Sequence, residues 1–174
     1  MGDRHTWVVR QAEKRDAAAM LALAHALFAE PGLYIPVAPD EFALSVKEEE
    51  AFIERHQTQA NAVFLLAFDA DGRLVGMLNA HGSSRRALRH AVAFGMSVAR
   101  DCRGQGVGTA LLSALLTWAR GTNLVTRIEL NVYEENVPAR RLYERFGFEV
   151  EGRRRSSVFQ DGRYHDDLVM ARLL

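Results

Sequence analysis

The stretch Arg103-Gly104-Gln105-Gly106-Val107-Gly108 decides how this chain is read. An apolar segment from Ala91 to Ala99 precedes it and reads as a strand. Thr109 to Ala119 follows, with Leu111, Leu112, Leu115 and Leu116 at helical spacing. The loop therefore sits at a strand-to-helix junction. Its glycines let the main chain pass close to a bulky group. The first N–H groups of the helix lack an intrahelical acceptor, and the helix dipole adds positive potential at the same end. Such a turn favours an anion and predicts a phosphate-bearing ligand. Two familiar phosphate loops do not fit. A dinucleotide fold needs G-x-G-x-x-G with an acid about 20 residues on, whereas Gly104, Gly106 and Gly108 alternate. A P-loop ends in Gly-Lys-Ser/Thr, and this stretch has no Lys. The plain alternative is a tight turn before an amphipathic helix, and Arg103, a cation beside the loop, weighs against it.

The rest of the composition narrows the field. A chain of 174 residues reads as one domain, 1–174, with room for a core. Basic and acidic residues balance at 22 each, so no global field draws it to nucleic acid or membrane. All the basic residues are Arg except Lys14 and Lys47, which reads mainly as genome composition. The single cysteine, Cys102, excludes an intramolecular disulfide and a Cys-rich zinc site. No apolar run approaches the ~20 residues of a membrane span. Asp3, Arg4 and His5 stand before a short apolar run with no signal-peptide core. The simplest expectation is a cytoplasmic protein.

Along the chain, Thr6 to Gln11 reads as a first strand and Asp16 to Phe28 as a helix stopped by Glu30-Pro31-Gly32. Leu33 to Asp40, broken by prolines, reads as an irregular loop, and Ser45 to Gln59 as a second helix. Ala62 to Asp69 and Arg73 to Ala80 flank Asp71-Gly72 as a hairpin. His81 to Arg89 connects to the Ala91 strand. Arg127 to Tyr133 is a strand, and Pro138 to Phe146 is a short helix ended by Gly147. Phe148 to Arg154 and Tyr164 to Leu173 are the last strands, with Asp161-Gly162 as a turn. Strands before, between and after helices predict a mixed α/β sheet.

A second motif follows the Arg127 strand: Asn136-Val137-Pro138-Ala139-Arg140-Arg141-Leu142-Tyr143, closing on Gly147-Phe148. Together, Arg103-x-x-Gly106-x-Gly108 and Asn136-x-Pro138-Ala139-x-x-Leu142-Tyr143-x-x-x-Gly147-Phe148 resemble the GNAT superfamily of acyl-coenzyme A dependent N-acetyltransferases. The resemblance is strongest from Val92 to Glu151 and weak in the first sixty residues. It implies a central twisted, mostly antiparallel sheet of about seven strands flanked by helices. It also implies acetyl-CoA as cosubstrate and brings a homodimer into consideration. The tail from Ser157 to Met170 resembles members that acetylate small amines, including amino acids and polyamines.

By the same resemblance, the backbone of Met96, Ser97 and Val98 pairs with the pantetheine amides like an added strand. The N–H groups of Gly104, Gln105, Gly106, Val107, Gly108 and Thr109 cradle the pyrophosphate, with Arg103 beside them. Asn136 hydrogen-bonds the cofactor, and Tyr143 lies near its sulfur. The reaction is attack of an amine on the thioester carbonyl, with loss of a thiolate. A free amine is mostly charged near neutrality (Lys ~10.4), so it must first lose a proton. Tyr143 is the candidate acid for the leaving sulfur, and its other reading is a core aromatic beside Leu142 and Phe146. Some relatives carry a Glu where this chain has Asn131. Strand alternation places Glu129, Asn131 and Tyr133 on one face, so Glu129 is the nearest acid for a base acting through water. Its other reading is an ion-paired surface residue.

Substrate choice falls to the loop Gly32 to Phe42, with Tyr34 and Glu41, to Asn131 and to the last hairpin. Asp40 and Glu41 read equally as helix-capping acids. His81 and His90 read as loop or capping residues. His165 and Asp166 point to opposite strand faces, which argues against a metal site. Cys102 has no His near it in sequence and reads as structural. The expectation is an N-acetyltransferase for a primary amine of a small molecule, by direct attack. A non-catalytic CoA sensor, a nucleotide-binding module and a peptide or protein N-terminal acetyltransferase are the alternatives. Nucleic-acid binding through the short Arg153-Arg154-Arg155 run is disfavoured, and so is membrane binding.

Overall fold

The computed structural model describes residues 7–174. Thr6, the expected start of the first strand, and Asp3, Arg4 and His5 lie outside the described residues. Seven strands run in chain order: β1 (Val8–Gln11), β2 (Ala62–Phe68), β3 (Leu74–Gly82), β4 (Ala91–Val98), β5 (Arg127–Tyr133), β6 (Glu149–Gln160) and β7 (Arg163–Leu173). Four α-helices accompany them: α1 (Ala17–Phe28), α2 (Val46–Thr58), α3 (Val107–Gly121) and α4 (Val137–Arg145). The sheet order is β1-β2-β3-β4-β5-β7-β6. All neighbours are antiparallel except β4 and β5. This is the mixed, mostly antiparallel sheet that the motifs imply.

Helices cover both faces, so the central strands are apolar on both sides. In β2, Val63, Leu65 and Ala67 join one hydrophobic cluster, and Phe64 and Leu66 join another. The first cluster packs α3 through Leu111, Leu112 and Leu115. The second includes Met20 of α1 and Ile53 of α2. Ser45 starts α2 with a capping box: its Oγ accepts from the Glu48 N–H, and the Glu48 carboxylate accepts from the Ser45 N–H.

Three elements differ from the sequence reading. The helix expected from Asp16 begins with a 3-10 turn at Lys14–Asp16, and α1 proper starts at Ala17. Strand β3 reaches Gly82 because it keeps pairing with β4 to Gly82↔Val92. Strand β6 is continuous to Gln160, and irregular register between Arg154 and Val158 absorbs the residues that read as a break.

Asp16 anchors the junction between β1 and α1. Both its oxygens accept from the Arg10 guanidinium at 2.7 Å, and Oδ2 also accepts from the Glu13 N–H at 2.8 Å. Hydrogen bonding from Arg10 holds the Asp16 carboxyl below the usual carboxylate range. Asp16→Ala should lower unfolding free energy by about 1–2 kcal/mol, a value reduced because Arg10 is partly solvated. The folded-state pKa is depressed, so the contribution is whole above the ordinary Asp value of about 3.9 and is lost as pH falls through the lower folded value. Urea titrations of both proteins at pH 7 and at acid pH check this. A difference that is absent at pH 7, or that does not shrink in acid, would contradict it.

Candidate functional site

The site originates where β4 and β5 part. They pair in parallel at only three positions, Ala91↔Arg127, Val92↔Ile128 and Ala93↔Glu129. Beyond them β5 pairs with β7 on its other side, through Tyr133↔Asp167. Strand β4 continues against β3 as far as Gly76↔Val98. From Phe94 to Val98, β4 therefore has one edge with no partner strand among the described residues. A cleft of about 1020 Å³ opens at this divergence, walled by the ends of both strands, by α1, α2 and α4 and by the loop before α2.

Directly beyond β4 the chain enters the glycine loop and α3. Gly106 is the N-cap of α3 and has φ 96°, a left-handed conformation that a side chain would strain. Gly108 meets a packing limit instead: a Cβ there would lie 2.9 Å from Leu142 Cδ2 of α4 and 3.4 Å from Met96 Cε of β4. The small residue thus lets α3, α4 and the β4 edge converge. The N–H groups of Val107, Gly108 and Thr109 have no acceptor among the described residues, while the Ala110 N–H bonds the Gly106 carbonyl. The Trp7 indole donates to the Gln105 carbonyl at 3.0 Å and ties the loop to the start of the sheet.

Arg103 is engaged within the protein. Its guanidinium pairs with Glu30 at 2.8 Å, and its Nε donates to the Val98 carbonyl at 3.0 Å. The cation read beside the loop therefore already has a carboxylate partner, and the N–H groups at the head of α3 are the loop's donors without an acceptor among the described residues. Cys102 is buried, burial raises its thiol pKa, and Arg73 Nη2 contacts its sulfur at 3.3 Å.

Met96, Ser97, Asn131, Asn136, Tyr143 and Tyr34 all line the cleft. Asn136 caps α4, with its Oδ1 accepting from the Ala139 N–H at 3.3 Å. Tyr143 is buried, with its ring edge-on to Phe94 at 5.7 Å. Desolvation pushes its phenol up to about 12, so the hydroxyl stays protonated near neutrality. Tyr143 thus makes the aromatic core contact of its structural reading, and it also lines the cleft.

Two expected residues stand apart. Glu129 accepts from Arg127 Nε at 3.0 Å, and Arg127 also pairs with Glu151. Glu129 does not line the cleft, and its ion-paired reading is the one that the geometry matches. Glu41 closes a short 3-10 turn, its Oε2 accepting from the Ala38 N–H at 2.8 Å, and it does not line the cleft either. From the same loop, Tyr34, Ile35, Pro36, Val37 and Phe42 do. The loop is held over the opening by a relay: the Tyr133 hydroxyl donates to Gln160 Oε1 at 2.8 Å, and Gln160 Nε2 donates to the Leu33 carbonyl at 3.0 Å. The Tyr34 and Tyr133 rings meet edge-on at 5.4 Å.

The polar wall also holds residues that the sequence reading did not single out, three of them on the last hairpin, to which it assigned part of the substrate choice. Glu49 of α2 is buried without a side-chain partner among the described residues, and burial raises its carboxyl pKa. Asp167 and Ser157 line the cleft with unpartnered buried oxygens, and Arg154 lies beside them. No local motif marks these positions, because strand register brings them together. His165 bonds Glu135 at 2.9 Å and lies against the Gln160 carbonyl, while Asp166 pairs with Arg153.

The pattern that defines the acetyltransferase (GNAT) family matches residues 17–148. Over 166 residues the chain is 30% identical to the L-amino acid N-acetyltransferase AaaT of Escherichia coli K12, covering 95% of this chain and 97% of that protein. The crystal structure of a GNAT-family acetyltransferase from Streptococcus pneumoniae superposes with a TM-score of 0.92 at 26% identity, covering 97% of this chain and all of that one. A phosphinothricin acetyltransferase from Sinorhizobium meliloti, solved in complex with acetyl-CoA, superposes at 0.85 with 22% identity, covering 97% of this chain and 89% of its own. With the parted central strands and the glycine loop at the head of α3, these matches identify the chain as a member of the acetyltransferase (GNAT) family, by class an acyl-CoA-dependent N-acetyltransferase.

Proposed function

We propose that this enzyme moves an acetyl group from acetyl-CoA to the primary amine of a small molecule, by direct attack within a ternary complex. The observation that carries the reading is the unpaired β4 edge, which runs from the cleft holding Tyr143 to the open N–H groups of α3. The residues fit the cosubstrate. Val107, Gly108 and Thr109 offer donors to a diphosphate, and the Met96 to Val98 backbone offers an edge to amide groups. Gly106 adopts the left-handed turn that opens α3, and Gly108 lets the head of α3 pack close to Leu142 and Met96. The named substrate of the E. coli relative, an L-amino acid, supports a small-amine acceptor.

Acetyl-CoA when bound would supply the thioester carbon for the neutral amine and the thiolate that leaves, with the protons lost by the nitrogen passing to solvent. The protein's part is chiefly to hold nitrogen and carbon in line. Tyr143 donates a hydrogen bond to the leaving sulfur from a phenol near 12, well above a thiol's ~8.5. Complete proton transfer to the sulfur would be uphill, so the hydroxyl acts by stabilising charge.

Tyr143→Phe should lower kcat by about 10²-fold, the scale of losing one charge-stabilising hydrogen-bond donor, with CoA affinity unchanged within a few-fold. Steady-state kinetics and calorimetry read both quantities, and an unchanged kcat would remove the hydroxyl from the reaction. Gly106→Val should weaken CoA binding by about tenfold or more, because valine resists the φ 96° turn that presents the N–H groups of α3. Calorimetry beside a melting curve tests it, and wild-type affinity in the folded variant would contradict it. The activity itself is tested by thiol release over a panel of amino acids and polyamines. CoA binding without thiol release for any amine would favour a sensor instead.

A further inference from the structure

Three neighbouring strands place a polar row across the wall of the cleft. Asp167 of β7 is the register partner of Tyr133 on β5 and of Arg154 on β6. Directly opposed residues in antiparallel strands share a face, so the three side chains project together, and all three line the cleft. Asp167 is only 6% exposed, and its Oδ1 has no hydrogen-bond partner among the described residues. A buried carboxylate oxygen left unpaired is costly unless a ligand completes it.

A second unpartnered group stands beside the row. The register of β6 shifts between Arg154 and Val158, and Ser156 takes φ 50° within the shift. The Ser156 N–H is fixed by Asp166 Oδ1 at 2.6 Å. The irregularity brings Ser157 into the cleft wall with its Oγ buried and unpaired. Arg154 makes no ion pair among the described residues, although its register partner is a carboxylate. Its neighbour Arg153 is held by Glu134 and Asp166, each at 2.7 Å. Opposite charges that sit side by side without meeting are both available to a ligand that carries both signs.

We infer that Asp167 and Ser157 receive the acceptor's amino group, which arrives as ammonium and loses a proton to solvent before its nitrogen attacks, and that Arg154 receives its carboxylate, so that this row selects a zwitterionic α-amino acid. The inference rests on the amine-acetylation reading and assigns residues to it. An ionised hydrogen bond in a partly dry cleft is worth roughly tenfold or more in affinity. Tyr133 closes the third side, and its phenol is pushed up to about 12 by burial and by the Asp167 charge, so it stays a neutral neighbour.

The test uses thiol-release kinetics of the full chain with an L-amino acid and with its C-terminal amide, which keeps the amine and lacks the carboxylate. Asp167→Asn should raise KM for both acceptors about tenfold or more, with KM for acetyl-CoA unchanged within twofold. Arg154→Met should raise KM for the amino acid about tenfold and for the amide less than twofold. Arg154 is exposed, so this variant keeps the question open to refutation should Asp167→Asn fold poorly. Unchanged acceptor KM in Asp167→Asn, or equal effects on acid and amide in Arg154→Met, would overturn the assignment while leaving amine acetylation standing. A wild-type protein that binds CoA yet turns over neither acceptor would overturn the amine-acetylation reading and the assignment with it.

Discussion

The structure depends on a pairing that stops early. Parallel strands β4 and β5 share three register pairs and then part. Unpaired main-chain groups in a sheet interior are unfavourable, and here each strand resolves the problem differently. Strand β5 is taken up by β7, which carries Asp167 opposite Tyr133. Strand β4 keeps β3 on one side and is left open on the other, which suits it to an extended ligand with amide groups. The glycine loop, α3 and α4 converge on that open edge, and Gly108 marks their closest approach.

Packing sets the electrostatics of the cleft. Tyr143 is fixed by Phe94 and Phe148, and the same apolar surroundings raise its phenol and keep it protonated. On the other side, Tyr133, Gln160 and Leu33 form a hydrogen-bonded strap that holds the loop over the opening. The loop contributes Tyr34, Ile35 and Phe42 to the wall, so the part of the chain with the least regular structure shapes the room left for an acceptor.

The half of the site that depends on local backbone was legible in the sequence. A strand, a glycine loop and an apolar helix follow one another directly, and Asn136, Pro138 and Tyr143 lie within one short segment, so the glycine turn and the α4 N-terminus could be placed without coordinates. The other half depends on register between distant segments. Glu129 shared a nominal face with Asn131, but Arg127 draws its carboxylate into a pair away from the cleft. Glu41 read as a capping acid before the second helix, but Ser45 and Glu48 cap that helix and Glu41 closes its own 3-10 turn at Ala38. Arg103 read as a cation beside the loop, and its pairing with Glu30 at 2.8 Å was hidden because Glu30 lies far off in sequence. Arg154 and Asp167 meet as register partners of β6 and β7, and Ser157 joins them where β6 shifts register after Arg154, a shift that no local pattern announces.

The most direct measurement of the central claim is amide hydrogen exchange with and without acetyl-CoA. A free strand edge and an open helix N-terminus that both engage the same ligand should gain protection together, at Met96 to Val98 and at Val107 to Thr109. The paired strands β1 and β2 should change little. Acetyl-CoA binding that leaves those two segments unprotected, or that protects residues remote from the β4–β5 divergence, would contradict the account.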